Sequence, residues 1–241
     1  MTQDRITVCI PTYNRRAVAE QCIPTVRAGM EEGDVLMVYD DGSSPDEKPW
    51  HSEAIMRAAS GFIPTEPIGI DAQRRNHILE FVAGHAIHGR DWLYLTDCDA
   101  FHDPDWRRAA LTLYRNYGKL TCLYRTQTHA NYVNNIYRDH PGESVIWQRF
   151  APGVSYLLSI ADCRILAAHM PAKIAWDWWV PGALGHKCAV SRVSYCDHIG
   201  YGGMHDRNEP GCASNERATN ATEWLVKKRV EILSNLGLKD V

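Results

Sequence analysis

Asp97 and Asp99 stand one residue apart in "LTDCDAF", directly after the apolar run Trp92-Leu93-Tyr94-Leu95. A strand interior disfavours carboxylates, and like charges this close repel unless something neutralises them. Two readings follow. Both side chains fan into solvent at a turn, or they hold a divalent cation. Hard carboxylate oxygens suit Mn²⁺ or Mg²⁺, and no cationic residue near them in sequence offers compensation. Asp177 poses a related question in "AWDWWV", since a carboxylate among aromatic and apolar neighbours is destabilising unless it has a role. Its alternative role is to cap the helix that follows.

These residues need elements to position them. "RITVCIP" predicts a β-branched strand, and "RRAVAEQCIPTVRAGM" a helix that Pro24 kinks or splits. "VLMVYDDGSSPDE" predicts a second buried strand ending in a polar turn, "PWHSEAIMRAAS" a helix, and "GFIPTEPIG" a short extended piece. "IDAQRRNHILEFVAGHAIH" has helical spacing, with Ile78, Leu79 and Val82 on one side. "DWLYLTD" predicts the next strand, and Asp103-Pro104 a start for the helix "DWRRAALTLYRNY". Strands alternating with helices predict an α/β fold with a mostly parallel, Rossmann-like sheet. Polar clusters then fall at the carboxyl ends of its strands, where open α/β sheets bind ligands. They are "PTYNR", "DDGS" and "DCD".

After residue 118 the pattern changes to a smaller mixed region. "KLTCLYRT", "SVIWQRF", "SYLLSI" and "AVSRVSYCDHIG" predict strands, "ADCRILAAHM" a helix, and "IAWDWWVPGALGH" a short aromatic segment. A Gly-rich stretch, Gly200 to Ala218, predicts a mobile loop that closes over a bound ligand. An amphipathic helix, "NATEWLVKKRVEILSNL", follows.

In order and spacing, "VCIPTYNR", "VYDDGSSPDE", "RRN" and "YLTDCDAFHDPDW" resemble the family 2 glycosyltransferases of the GT-A fold, over about residues 5 to 110. The resemblance implies one GT-A domain over residues 1–241: a nucleotide-sugar half (1–100), an acceptor half (101–205), then the loop and terminal helix (206–241). It implies that Pro11, Thr12, Tyr13 and Asn14 line the donor pocket, with Tyr13 stacking on the base. Asp40 and Asp41 resemble the pair that accepts from a base imide, which points to a UDP-sugar. Arg75 matches the arginine that reaches the diphosphate, a task suited to a fork of permanently charged donors; Arg74 beside it reads as a solvated helix residue. Asp99 would coordinate the metal, and Asp97 would contact the ribose or help hold the ion. His198, or His205 in the Gly-rich loop, would be a further ligand. Asp177 matches the base of an inverting transfer, although Trp176 replaces the acid that usually precedes it.

The bulk properties exclude little else. The formal net charge is -3, from 26 basic and 29 acidic residues, so global charge does not favour nucleic acid or membrane partners. No apolar run is long enough for a transmembrane segment. The N-terminus lacks signal-peptide features, and the eight scattered cysteines form no C-x-x-C pair, which together suggest a reduced, cytoplasmic protein. Residues 101 to 150 carry seven Lys or Arg against four acids, with aromatics interleaved. A saccharide or glycoconjugate acceptor is the default expectation. DNA is the alternative, as in virus-type enzymes that glycosylate hydroxylated bases. A non-catalytic glycan- or nucleotide-sugar-binding module, a GT-A-like nucleotidyltransferase and a terminal helix that touches a membrane are weaker alternatives.

Overall fold

A computed structural model of the chain describes residues 4–118, 120–127, 131, 135–170, 175–200 and 217–240. Its core is a nine-stranded sheet of order β3-β2-β1-β4-β9-β6-β10-β8-β7. The first four are β1 (Ile6–Thr12), β2 (Val35–Asp40), β3 (Gly61–Pro64) and β4 (Trp92–Thr96), all mutually parallel. Their inward residues, among them Ile6, Val8, Ile10, Leu36, Val38, Leu93 and Leu95, are almost fully buried, as expected of strands covered on both faces. Beyond β4 lie β9 (Ser155–Ser159), β6 (Thr121–Cys122), β10 (Cys188–Ser191), β8 (Val145–Gln148) and β7 (Ile136–Arg138). Only β9 and β8 run against the other strands, so the sheet is mostly parallel.

Helix α1 (Arg16–Ala28) links β1 to β2, and α2 (Glu53–Ala58) links β2 to β3. The chain then reverses direction across the sheet through α3 (Ile70–His88) to reach β4. Right-handed crossovers therefore place α1 and α2 on one face and α3 on the other. The reversal opens a crevice between the carboxyl ends of β1 and β4, the switch point at which such sheets bind ligands. Helices α4 (Trp106–Tyr117), α5 (Ile160–Ala168), α6 (Trp176–Ala183) and α7 (Glu223–Leu236) complete the described helices.

A two-stranded antiparallel ribbon does the remaining positioning. In it β5 (Ala100–His102) pairs with β11 (Cys196–His198), and His198 stands opposite Ala100. A second apolar cluster locks this ribbon in place: Phe101 and Ile199 pack with Val18 and Cys22 of α1 and with Leu225, Ile232 and Leu233 of α7.

Several local expectations need correction. Helix α1 runs unbroken through Pro24, because the burial of Val18, Ala19, Cys22, Ile23 and Val26 along one side holds it together. The inward face of α3 is Gln73, Arg74, His77, Ile78 and Phe81, whereas Leu79 is exposed. "KLTCLYRT" contributes only the two-residue β6. The segment read as one late strand is two, β10 and β11, and the aromatic segment is α6. Along α7, Leu225 and Leu233 are buried, whereas Val226 and Val230 are exposed. Arg229 of this helix is buried and paired with Asp197 and Asp240. Among the described residues no helix is long and apolar enough to cross a membrane, and the seven described cysteines are free and buried.

One stability prediction arises from the core. His102 is fully buried, with Nε2 2.9 Å from the Tyr94 hydroxyl and Nδ1 unpartnered; burial pushes its imidazole down to about 3. His77 is likewise buried, without a partner for either ring nitrogen, and is lowered well below its usual value, first by burial and then by Arg74. The folded protein keeps both rings neutral, while the unfolded chain protonates them near 6.5. The stability these neutral rings provide is complete above about pH 6.5 and declines as pH falls below it. Between pH 6.5 and 5 His102 should remove roughly 1.5–2 kcal/mol, and His77 should act in the same direction. Urea unfolding across that range measures it, and His102→Gln should flatten the slope. Equal wild-type stability at both pH values would rule the effect out.

Candidate active site

The carboxyl ends of β1, β2 and β4 meet in one crevice. Thr12 is in register with Asp40 across β1 and β2, and Asn14 ties the two following loops together. Its backbone N–H donates to Ser43 Oγ at 2.9 Å, and its side-chain oxygen accepts from Ser44 N at 2.8 Å. Asn14 takes a φ of 49° to do so, a conformation asparagine tolerates better than most residues. Of the four "PTYN" residues, Tyr13 presents an exposed ring. Pro11 and Thr12 are buried in the strand, and the Thr12 hydroxyl donates to the Tyr39 carbonyl.

The acid pair after β2 is already engaged. Asp40 is buried and ion-paired with Lys48 at 2.7 Å. Asp41 accepts from the N–H groups of Ile68 and Gly69 at 2.8 Å, and from Gln73 Nε2 at 3.0 Å. It thereby fixes the loop that starts α3. Gly42 between these acids and Ser43 has φ +78°, and a side chain there would run into Pro67.

After β4 each acid has its own guanidinium, supplied by the fold rather than by neighbours in sequence. Arg74 is the correction here: it is fully buried, not solvated. It pairs with Asp97, donates to the carbonyls of Thr96 (2.6 Å) and Cys9 (3.2 Å), and so bolts β4 to β1. The Trp176 ring covers it at 4.8 Å, and Gly153 leaves room for that ring, because a Cβ there would lie 2.5 Å from it. The tryptophan in place of the expected acid thus has a packing role. Arg75, on the same turn of α3, is half-buried.

Asp99 is 1% exposed and ion-paired through Oδ2 to Arg15 Nη1 at 2.5 Å. Its Oδ1 lies 3.2 Å from His198 Nε2 without hydrogen-bond alignment, and has no hydrogen-bond partner. The β5–β11 ribbon creates this approach, since Ile199 N donates to the Asp99 carbonyl at 3.0 Å. Arg229 steadies the ribbon from behind through Asp197 and the His198 carbonyl. Burial alone would raise the Asp99 carboxyl and lower the His198 ring. Each is overruled by the other: His198, with Arg15 helping, holds Asp99 well below the usual carboxylate range, and Asp99 pushes His198 up to about 9 against the opposing charge of Arg15. One ligand atom from each of Asp97, Asp99 and His198 lies within 4.8 Å of the other two. An orphaned, buried carboxylate oxygen beside an imidazole and a second carboxylate is a donor set that fits Mn²⁺ or Mg²⁺. His205 and most of the Gly200 to Ala218 loop lie outside the described residues.

Asp177 sits in the first turn of α6, whose start is joined to α3 by a hydrogen bond from Trp176 N to Asp71 Oδ1 at 3.1 Å. Its carboxyl is half-buried and raised above the ordinary carboxylate value, first by burial and then by the nearby charges of Asp71 and Asp97. Its neighbour Trp176 covers Arg74, the partner of Asp97, so the start of α6 borders the acid pair.

A profile described as glycosyl transferase family 2 matches residues 7–160. The chain belongs to this family. Solved structures agree with that fold. Staphylococcus aureus TarS in complex with UDP-GlcNAc is 13% identical with a TM-score of 0.58, over 80% of this chain and 57% of that one. The mannosyltransferase PcManGT from Pyrobaculum calidifontis, in complex with GDP-Man and Mn²⁺, is 18% identical with a TM-score of 0.56, over 78% and 55%. The family 2 chain thus has a GT-A glycosyltransferase fold. It spans 36% of one TarS structure and 59% of a shorter one. No curated protein matches it in sequence.

Much of the basic, aromatic stretch of this glycosyltransferase fold is engaged by other residues, in the core or in surface ion pairs. Arg107 is buried against Asp34 and Glu31, while Arg108, Arg115 and Arg138 pair with Asp105, Asp4 and Glu143. Trp106 and Tyr124 are core residues, and Tyr114 bonds to Ser159 and Asp162. Lys119 and Tyr132 lie outside the described residues. Sequence reading missed Arg15, Lys48, Arg74 as a buried tie, and Arg229; each acts on a partner from a different element, which no local pattern reveals.

Proposed function

We propose that this domain is a metal-dependent, inverting glycosyltransferase that moves a sugar from a nucleotide-sugar donor, a UDP-sugar, to a hydroxyl of a saccharide or glycoconjugate. The observation that carries the reading is the convergence of Asp97, Asp99 and His198 at the switch point, with the start of α6 packed beside it through Trp176 and Arg74. The nucleotide sugars in the TarS and PcManGT structures, and the Mn²⁺ in the latter, support it.

Asp99 and His198, with Asp97 beside them, would hold Mn²⁺ or Mg²⁺. Such an ion supplies Lewis-acid stabilisation of the departing nucleoside diphosphate. Tyr13 offers its exposed ring to the base, just past the end of β1 formed by Pro11 and Thr12 and before the turn fixed by Asn14. Asp40 or Asp41 accepts from the uracil imide, Asp40 in competition with Lys48. Arg75 reaches the diphosphate. Asp177 takes the proton from the acceptor hydroxyl as that oxygen attacks the anomeric carbon, so a single displacement inverts the configuration. The domain boundaries expected from the resemblance, with the nucleotide half ending near residue 100, belong to the same proposal.

A saccharide acceptor is favoured over DNA because the guanidiniums at 107, 108, 115 and 138 already have carboxylate partners. Metal-dependent hydrolysis of a panel of UDP- and GDP-sugars tests the donor class, and we expect a UDP-sugar to be cleaved fastest. Binding to duplex and single-stranded DNA at two salt concentrations tests the acceptor class. We expect none at low salt; tight binding that weakens steeply with salt would favour the nucleic acid instead.

A further inference from the structure

The two acids after β4 each hold a guanidinium, but the two guanidiniums are held differently. Arg74 is fixed by two carbonyls and the Trp176 ring, and its side chain has no exposure. Arg15 is 20% exposed, on a flexible side chain whose backbone is anchored by the neighbouring Asn14 to the loop after β2. Its guanidinium occupies Oδ2 of Asp99, the carboxylate proposed above to bind the ion. A carboxylate with 1% exposure and no counter-charge would be strongly destabilising, and in the ion-free protein Arg15 on Oδ2 and the His198 ring facing Oδ1 share that task. A guanidinium is a permanent charge and an equally good partner for phosphate oxygens.

From this geometry we infer that Arg15 is an exchangeable counter-cation, which neutralises Asp99 in the ion-free protein, yields it to the divalent ion, and then turns to the donor's diphosphate. The inference rests on the donor and metal reading above. It makes ion and nucleotide binding mutually reinforcing, because the diphosphate gives the displaced guanidinium a new partner and the ion alone does not. An ion seated among Asp97, Asp99 and His198 without nucleotide sets its charge against the guanidinium on Oδ2 and offers that guanidinium no new partner.

Mn²⁺ affinity, followed by the electron-paramagnetic-resonance signal of the free ion, tests this without turnover. Arg15→Gln, which removes the charge, should bind Mn²⁺ alone about 5-fold or more tighter than wild type, the scale of an ordinary coupling. UDP should tighten Mn²⁺ binding strongly in wild type and much less in Arg15→Gln. Arg15→Lys should remain close to wild type. Equal or weaker Mn²⁺ affinity in Arg15→Gln would overturn the inference while leaving the metal site intact. Mn²⁺ bound by no variant, with or without UDP, would instead remove the metal reading itself. Should Arg15→Gln fail to fold, the wild type still decides. Added Mg²⁺ should move the Arg15 Nε–H resonance, and a resonance unmoved while Mg²⁺ binds would contradict the exchange.

Discussion

Asp177→Asn should leave nucleotide-sugar affinity within a few-fold of wild type and lower transfer by about 10²–10⁴, the scale of a lost general base. Asparagine keeps the size and the position in the first turn of α6 but cannot take a proton. The environment also makes a pH prediction. Burial, with Asp71 and Asp97 nearby, lifts the Asp177 carboxyl above its ordinary range, which brings a base closer to neutral pH and improves it. A base works when ionised, so wild-type turnover should be full above this raised value and fall as pH drops through it. The acid limb should lie above the usual carboxylate value of about 4, and Asp177→Asn should lack it. Turnover of the variant near that of wild type, or an unchanged acid limb, would assign the base elsewhere. Product with the donor's anomeric configuration retained, seen by NMR, would contradict single displacement whatever the variant does.

Chelation should abolish transfer, and Mn²⁺ or Mg²⁺ should restore it. The ion is expected to contribute several kcal/mol to stabilising the leaving diphosphate, so its loss should lower turnover by about 10²–10³ or more. Asp99→Ala should have a similar effect that added ion does not rescue, since both the orphaned oxygen beside His198 and the partner of Arg15 disappear. Asp99→Asn should weaken donor binding and slow the chemistry together. Full activity in chelator, or an Asp99→Ala variant with wild-type turnover, would sink the metal assignment. Circular dichroism of each variant separates these effects from unfolding.

The half of the fold that carries the acid pair was legible because its signals are local. Alternating strands and helices fixed β1 to β4, and the polar clusters at Thr12, Asp40 and Asp97 close those strands within a residue or two. What was not legible depends on pairing across long separations. The resemblance pointed to His198, but the pairing that brings it to Asp99, β11 antiparallel to β5, is stated by nothing within "DHIG" or "DCDAF". Arg74 looked solvated because charged residues usually are; three acceptors on β1 and β4 and a tryptophan from α6 make its burial tolerable. Arg15 reads as the last residue of a loop motif until Asp99 is placed beside it. In the basic stretch after residue 100, the partners of Arg107 and Arg115 were hidden for the same reason, since Glu31, Asp34 and Asp4 lie far away in the sequence.

The central claim is that the carboxyl ends of β1, β2 and β4 bind a nucleoside diphosphate through an ion held at Asp99. Calorimetric titration of UDP into the protein, with Mn²⁺ and with chelator, tests it most directly. We expect UDP to bind in Mn²⁺, to bind far more weakly in chelator and in Asp99→Ala, and to bind normally in Asp177→Asn. UDP binding that is equal in Mn²⁺ and in chelator, or no binding of UDP or GDP under either condition, would contradict it.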